Sequence, residues 1–466
     1  MSIRFFLNRF IAVGISASLP FVAITAQDLK SAYFQQGFFY RHLMNPAFAA
    51  ERSYLGMPGM GNVDISANGN VGLSDFLYEY NDPTDQSILT TFMHESVDRE
   101  TFLGKLHPRN KISANVDLSL LSSGFALGKG FAQVNVGFHS RNNVSAPYEL
   151  FEFIKSSELG GAEPQEYRIR NFRMQTTNYA DLSLNYSHPV NERLRIGGSM
   201  KILFGAVNLD TRFSDLRIAM HEKEWLINAQ GYIHASSRNV SFRQRNGNEI
   251  SGIDFGGFNV NGLGAAVDFG VSWQLTPTLN LSAAILDLGM IGWFNTLTGR
   301  TRNEVYSFTG FDKIGVGSDS SYPTIEDQFD NLGDDLVDLV KVYQEGTIRK
   351  YTAIGTTLNV GGEYRFPSYK RLSLGLLSST HINRPYSWTE LRGSVNIYPA
   401  KWFEATLSGT WSTYGPGFGF LLNFHPRRFN IFVGTDFMFT EITPQFIPVN
   451  NLNANISMGI NFAFGR

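Results

Sequence analysis

No cysteine occurs among the 466 residues, which excludes a disulfide framework, a thiol nucleophile and any zinc or iron–sulfur site built on thiolates. Charge is scarce as well. Only 17% of residues are Asp, Glu, Lys or Arg, against roughly 25% in an ordinary soluble protein. Basic and acidic residues number 39 and 41 and leave a net charge of −2, so the basic excess of a nucleic-acid binder is missing. Past residue 26 there is no uninterrupted apolar run of the ~18–20 residues that a membrane helix needs, and a mean hydropathy of −0.14 argues against a bundle of such helices.

Motifs of chemistry are lacking too. The nine histidines are scattered, with no His-Glu-x-x-His pair, and neither a Gly-x-Ser-x-Gly elbow nor a phosphate-binding loop occurs. An outer-membrane Ser–His esterase would hold its residues apart in sequence and leave no motif. The reading is of a protein that is not an enzyme, with no catalytic residues, no metal site and no cofactor. What is plentiful is glycine (45), phenylalanine (39) and tyrosine (19), the composition of a large β protein that is secreted or lies in an outer membrane.

The N-terminus bears on the compartment. Arg4 and Arg9 precede a largely apolar stretch from Phe10 to Ala26, followed by Gln27 and Asp28. A short basic start, an apolar core and small residues at the end (Ile24-Thr25-Ala26) describe a secretory signal peptide over 1–26, cleaved near Ala26. A retained N-terminal anchor is the alternative, and Pro20 with the small residues before Gln27 favours cleavage. No cysteine follows the stretch, so lipoprotein processing is excluded.

Beyond it, segments of about ten residues alternate apolar with small or polar, the period of a strand. Ile456, Met458, Ile460, Phe462 and Phe464 alternate with Ser457, Gly459, Asn461, Ala463 and Gly465. The same pattern recurs at Ile112–Leu120, Leu194–Phe204, Leu263–Trp273 and Phe403–Trp411. A soluble sandwich also alternates, but its outer face is rich in Lys and Glu; here the second face is Gly, Ser, Asn, Asp and Thr. That suits a transmembrane barrel with a crowded interior and lipid outside, where every backbone amide must be paired without water. Aromatic residues bracket the short turns, as at Tyr398 and Trp402, Tyr364 and Phe366, and Phe424 and Phe429, where a membrane boundary places its girdles.

Short turns are expected at 121–130, 188–193, 276–278, 365–371, 399–402 and 425–428, and longer outer loops at 72–110, 140–176, 207–262, 288–353, 382–389, 412–416 and 438–455. Six short turns between seven outer loops predict an all-β, antiparallel up-and-down barrel of 14 strands over 62–466, running from near Asn62–Val71 to Ile456–Phe464. Trp225–Ala235 also alternates; were it and a strand near Val240 to enter the membrane, the count would be 16. One helix is predicted, over 325–343 in the longest loop, from Phe329, Leu332, Leu336, Leu339, Val340 and Tyr343 at helical spacing. Residues 27–61 carry turn formers and prolines that strands exclude, so they read as a plug inside the lumen or a periplasmic tail. Gly56, Gly59 and Gly61 are the candidate hinge, and Phe48, Met57 and Met60 the candidate apolar lining.

The segment Phe38-Phe39-Tyr40-Arg41-His42-Leu43-Met44-Asn45-Pro46-Ala47-Phe48-Ala49, lying between a signal peptide and the first strand, resembles the Asn-Pro-Ala hatch element of FadL-like outer-membrane transporters. The ending Gly459–Arg466 resembles the last strand of Bacteroidota outer-membrane barrels. This resemblance implies a fourteen-stranded barrel, a hatch containing Asn45, Pro46 and Ala47, and passive transport of fatty-acid-like hydrophobic compounds. The same superfamily includes the shuttle barrel of type IX secretion, which implies the alternative of a non-transporting barrel that scaffolds a secretion or assembly complex. Partners are then outer-membrane lipid, a hydrophobic ligand or complex subunits, and the barrel-assembly machinery during biogenesis, with no nucleic acid.

Overall fold

The computed structural model describes residues 29–81, 87–156, 165–221, 224–255, 257, 259–308, 339–438 and 453–464. Its sheet is one closed antiparallel wall of fourteen strands. In chain order these are β1 (Ser53–Gly56 with Asn62–Gly69), β2 (Arg109–Leu127), β3 (Gly130–Pro147), β4 (Gln165–Pro189), β5 (Leu194–Met220), β6 (Trp225–Ser236 with Gly262–Gln274) and β7 (Leu279–Thr301). The second half comprises β8 (Val342–Ala353 with Thr356–Arg365), β9 (Leu372–Ile382), β10 (Trp388–Ala400), β11 (Phe403–Ser412), β12 (Gly415–Phe424), β13 (Phe429–Thr435) and β14 (Ala454–Phe464). Tyr54 pairs with Ala463 and Ile65 with Ile456, which closes β1 against β14 and leaves no open edge.

Alternation assigns the two faces. Met200 is 72% exposed on the outside while its neighbours Ser199 and Lys201 face inward. Leu184, Phe269, Leu288, Val360, Leu407, Phe418 and Phe462 join it in an exposed apolar belt around the wall. A continuous greasy surface of this kind, on a chain whose inner face is Asn, Ser, Asp and Gly, is what hydrocarbon covers. The molecule is a transmembrane barrel of the outer-membrane type. No helix among the described residues is long and apolar enough to cross a membrane, which says nothing about crossing by strands.

Strand count comes out at fourteen because the awkward segment Trp225–Ser236 is the outer half of β6. It pairs with Asn208–Met220 of β5, and after an excursion Gly262–Gln274 pairs with Leu194–Gly205 of the same strand. β3 to β5 run far past the belt, so the loops expected at 140–176 and 207–262 are much shorter than the alternation break suggested, and 412–416 is a tight turn. The first strand begins at Ser53, nine residues before the boundary expected at Asn62. Of the helix expected over 325–343, residues 325–338 lie outside the described residues, and Val342 and Tyr343 open a strand. The signal peptide lies outside them too.

Above the belt the outward face of β4, β5 and β6 stays apolar, yet it is buried. Ile169, Leu216, Ile218 and Ile227 are each under a layer formed by helices α1 (Arg99–Leu103) and α2 (Tyr148–Ser156) and two short hairpins. Phe76, Phe92 and Phe102 stack at its centre, with rings 4.3 to 6.0 Å apart. The loops thus replace lipid as the cover of the same face.

Candidate functional site

Residues 29–50 are inside the barrel, at the end with short turns. The chain enters near the middle of the lumen, where the Lys30 and Ser31 amides donate to Asp436 at 2.7 and 2.8 Å. It descends to Gly37, whose N–H is shared by both oxygens of Glu404 at 3.0 Å, and turns back past Tyr40, which donates to Asn461 at 2.7 Å. Arg52 closes the excursion by donating to the His425 and Pro426 carbonyls at 2.6 and 2.9 Å. Satisfying buried polar groups around the whole circumference makes the segment an insert with one seating.

Asn45, Pro46 and Ala47 lie against β4, β5, β6 and β7. The Asn45 amide donates to the carbonyls of Val271 and Ala283 at 3.1 and 3.3 Å, while its oxygen accepts from the Ala47 N–H at 3.0 Å. Asn185 and Ser187 donate to the Pro46 and Ala47 carbonyls at 3.3 and 2.6 Å. The wall makes room at Gly197 and Gly270: a Cβ on either would stand 2.1 Å from the Pro46 oxygen or the Asn45 oxygen. The small inner face read from the sequence is therefore a mould for this segment.

Phe48 is buried between the Tyr33 ring, 5.2 Å away, and the Arg41 guanidinium, 4.0 Å away. Met57 and Met60 point outward, 36% and 45% exposed, and add to the belt instead of lining the lumen. Gly56–Gly61 interrupts β1 but stays in the wall. Met57 donates to the Ile460 carbonyl and Ile460 to that of Met60, at 3.0 and 2.9 Å, while Pro58 has no N–H and Gly59 takes φ +71°. Gly56 and Gly61 give space to the Tyr40 hydroxyl.

Above the segment lies a layer of charge. Arg141 forks onto Asp117 at 2.6 and 2.7 Å, and His139 stands between Asp117 (2.5 Å) and Asp181 (2.8 Å). Lys201 bridges Asp268 and Asp287 at 3.0 and 2.6 Å. Lys30 meets Glu390 at 3.3 Å and Arg392 meets Asp436 at 3.1 Å. Each cation has an acid, as burial demands. Between these groups is a cavity of about 50 Å³ lined by Lys30, Met44, Asp117, Arg141, Tyr179 and Trp388, room for a few waters. No group of His, Asp and Glu among the described residues could hold a metal ion.

Sequence reasoning missed this layer although its signal was present. Asp117, Asp181, Lys201, Asp268, Glu390 and Arg392 all occupy the small-residue phase of their strands, where a charge must face a lumen.

A family model matches residues 46–436 of the chain, and its description is a family of unknown function, DUF5723. The chain belongs to the DUF5723 family. No curated protein matches. Solved structures similar to this family member include a deletion mutant of the TodX monoaromatic hydrocarbon channel, at 10% identity and TM-score 0.42, covering 91% of this chain and 94% of that one. The Pseudomonas putida toluene transporter TodX follows at 9% and 0.40, covering 94% of each chain. A Pseudomonas aeruginosa FadL homologue stands at 11% and 0.40, covering 94% and 98%. The FadL-like resemblance read from the sequence thus meets solved barrels of that kind. The fold rests on the strand pairing above.

Proposed function

We propose that this DUF5723 barrel passes hydrophobic small molecules, fatty-acid-like in character, across the outer membrane, with residues 29–50 acting as a hatch that must shift. One observation carries the reading: the lumen holds an aromatic core. Leu29, Tyr33, Phe34, Phe38, Phe39 and Phe48 of the insert pack on Phe131, Leu377, Leu421 and Phe432 of the wall. Such wall residues have no cause to face a water-filled pore, and they become an apolar surface whenever the insert moves aside. The contacts holding the insert are hydrogen bonds, ring packing and the Lys30–Glu390 ion pair, none covalent, so displacement is reversible. In this reading Asn45, Pro46 and Ala47 form the pivot seated on Gly197 and Gly270. Uptake of a labelled fatty acid by cells or proteoliposomes tests it. Faster uptake with the protein supports the reading; equal uptake with and without it removes it.

The ordered loop layer favours a second reading, a non-transporting barrel that scaffolds a secretion or assembly complex. A folded outer platform is more than closing a mouth requires. Gentle detergent extraction followed by mass determination separates the two, since a particle of about one chain's mass disfavours the scaffold.

A further inference from the structure

Above the compensated charge layer the inner face changes character. In the register of the extended wall, Arg173 of β4 stands directly opposite Arg212 of β5, Arg212 opposite Tyr232 of β6, and Tyr232 opposite Arg300 of β7. Arg173 has the phase of Thr177, the partner of cavity-lining Arg141, so this row looks into the outer mouth of the lumen. Like charges paired across strands repel, and sheets ordinarily avoid them.

Nothing among the described residues neutralises the pair. The Nε atoms of both Arg173 and Arg212 are buried without a hydrogen-bond partner. The nearest acid on this face, Asp210, is held by Lys350 at 2.5 Å, and Arg300 is shared with Glu345 at 3.4 Å. Arg109 and Arg384 add further repulsion on Arg173. Higher on the same face Arg168, Arg170 and Arg217 share the single carboxylate of Asp215. Beside the row an open cleft of about 280 Å³ is bordered by Ser214, Gln230, Tyr232 and Arg300. Guanidinium groups crowded without counter-charges, next to a cleft with hydroxyl and amide donors, make the fork geometry that recognises an oxyanion.

We infer that the Arg173–Arg212 row and its cleft bind a small soluble oxyanion bearing at least two negative charges, a phosphate or a polycarboxylate. The site is on the outer mouth, apart from the insert, and stands whether or not a hydrophobic molecule crosses below.

The test is calorimetric titration of the full-length protein in detergent with pyrophosphate and, in a separate arm, citrate, with sucrose as a neutral control. The wild type binds an anion and ignores sucrose, and its affinity falls as salt rises. The double variant Arg173→Gln/Arg212→Gln binds at least about tenfold more weakly, while Arg173→Lys/Arg212→Lys keeps part of the affinity. Without anion the Gln variant melts at the same temperature or higher, because repulsion has been removed. Heat-modifiable gel mobility shows that each variant is folded. Absence of binding to the wild type, equal binding by the folded Gln variant, or a Gln variant less stable without anion would each overturn the inference.

Discussion

The insert and the loop layer cover opposite faces of one wall and hold on with different balances of polar and apolar contact. Inside, residues 29–50 attach through side-chain hydrogen bonds, glycine recesses and ring packing on Tyr54, Phe131, Leu377, Leu421 and Phe432 of the wall. Outside, α1, α2 and the hairpins attach through a broad apolar cluster. A polar seat specifies one position and releases when its partners are satisfied elsewhere; an apolar seat tolerates sliding but costs area to leave. In the transport reading proposed above, the insert is the part that moves and the loop layer the part that stays.

The largest effect expected is on the layer. Phe102 is fully buried against Phe76 and Phe92, so Phe102→Ala costs about 3–5 kcal/mol. That loss stays local: protease cuts the loops between β1 and β4 while heat-modifiable mobility of the barrel is kept. Loss of the barrel together with the loops would show that the two are one cooperative unit. Next is the belt. Met200→Arg, with the charge aimed at lipid, destabilises the barrel by roughly 2–4 kcal/mol in denaturant titration in lipid vesicles. No change would mean that water, and not hydrocarbon, covers this face.

Period two names strands and faces, and it placed β14 and the belt because Met458, Phe462 and Phe464 alternate without a break. It could not say what covers a greasy face. Trp225–Ala235 alternates as well as any membrane strand, yet loops distant in sequence bury it, so its place in β6 was hidden. Pro58 and Gly59 look like turn formers, which on sequence alone puts Met57 and Met60 in the lumen; the wall absorbs the turn as an interruption in β1. Asn45-Pro46-Ala47 was visible as a motif, whereas its recess at Gly197 and Gly270 could not be distinguished from other small inner residues before the strands were in register.

Smaller effects sharpen the inner half of the comparison. Gly270→Ala drives a methyl onto the Asn45 oxygen, and overpacking of that kind costs about 1–3 kcal/mol. The insert loosens, and ion conductance across a planar bilayer rises above that of the wild type; an unchanged trace with unchanged stability would mean that the recess is not under load. Smallest is the half-buried Arg99–Glu152 pair, 3.1 Å apart in the loop layer. Arg99→Ala shifts the loop layer by about 0–1 kcal/mol, and a larger shift would show that polar ties matter outside as they do inside.

If the luminal insert must move for anything to pass, a chain without cysteine lets a reversible lock test it. The hydroxyls of Ser31 and Ser408 are 2.8 Å apart, so Ser31→Cys/Ser408→Cys joins insert to wall when oxidised. Oxidation is expected to form the bond and to lower fatty-acid uptake to the level of vesicles without protein, and a reductant to restore it. A bond that fails to form, or uptake that is the same oxidised and reduced, would contradict it.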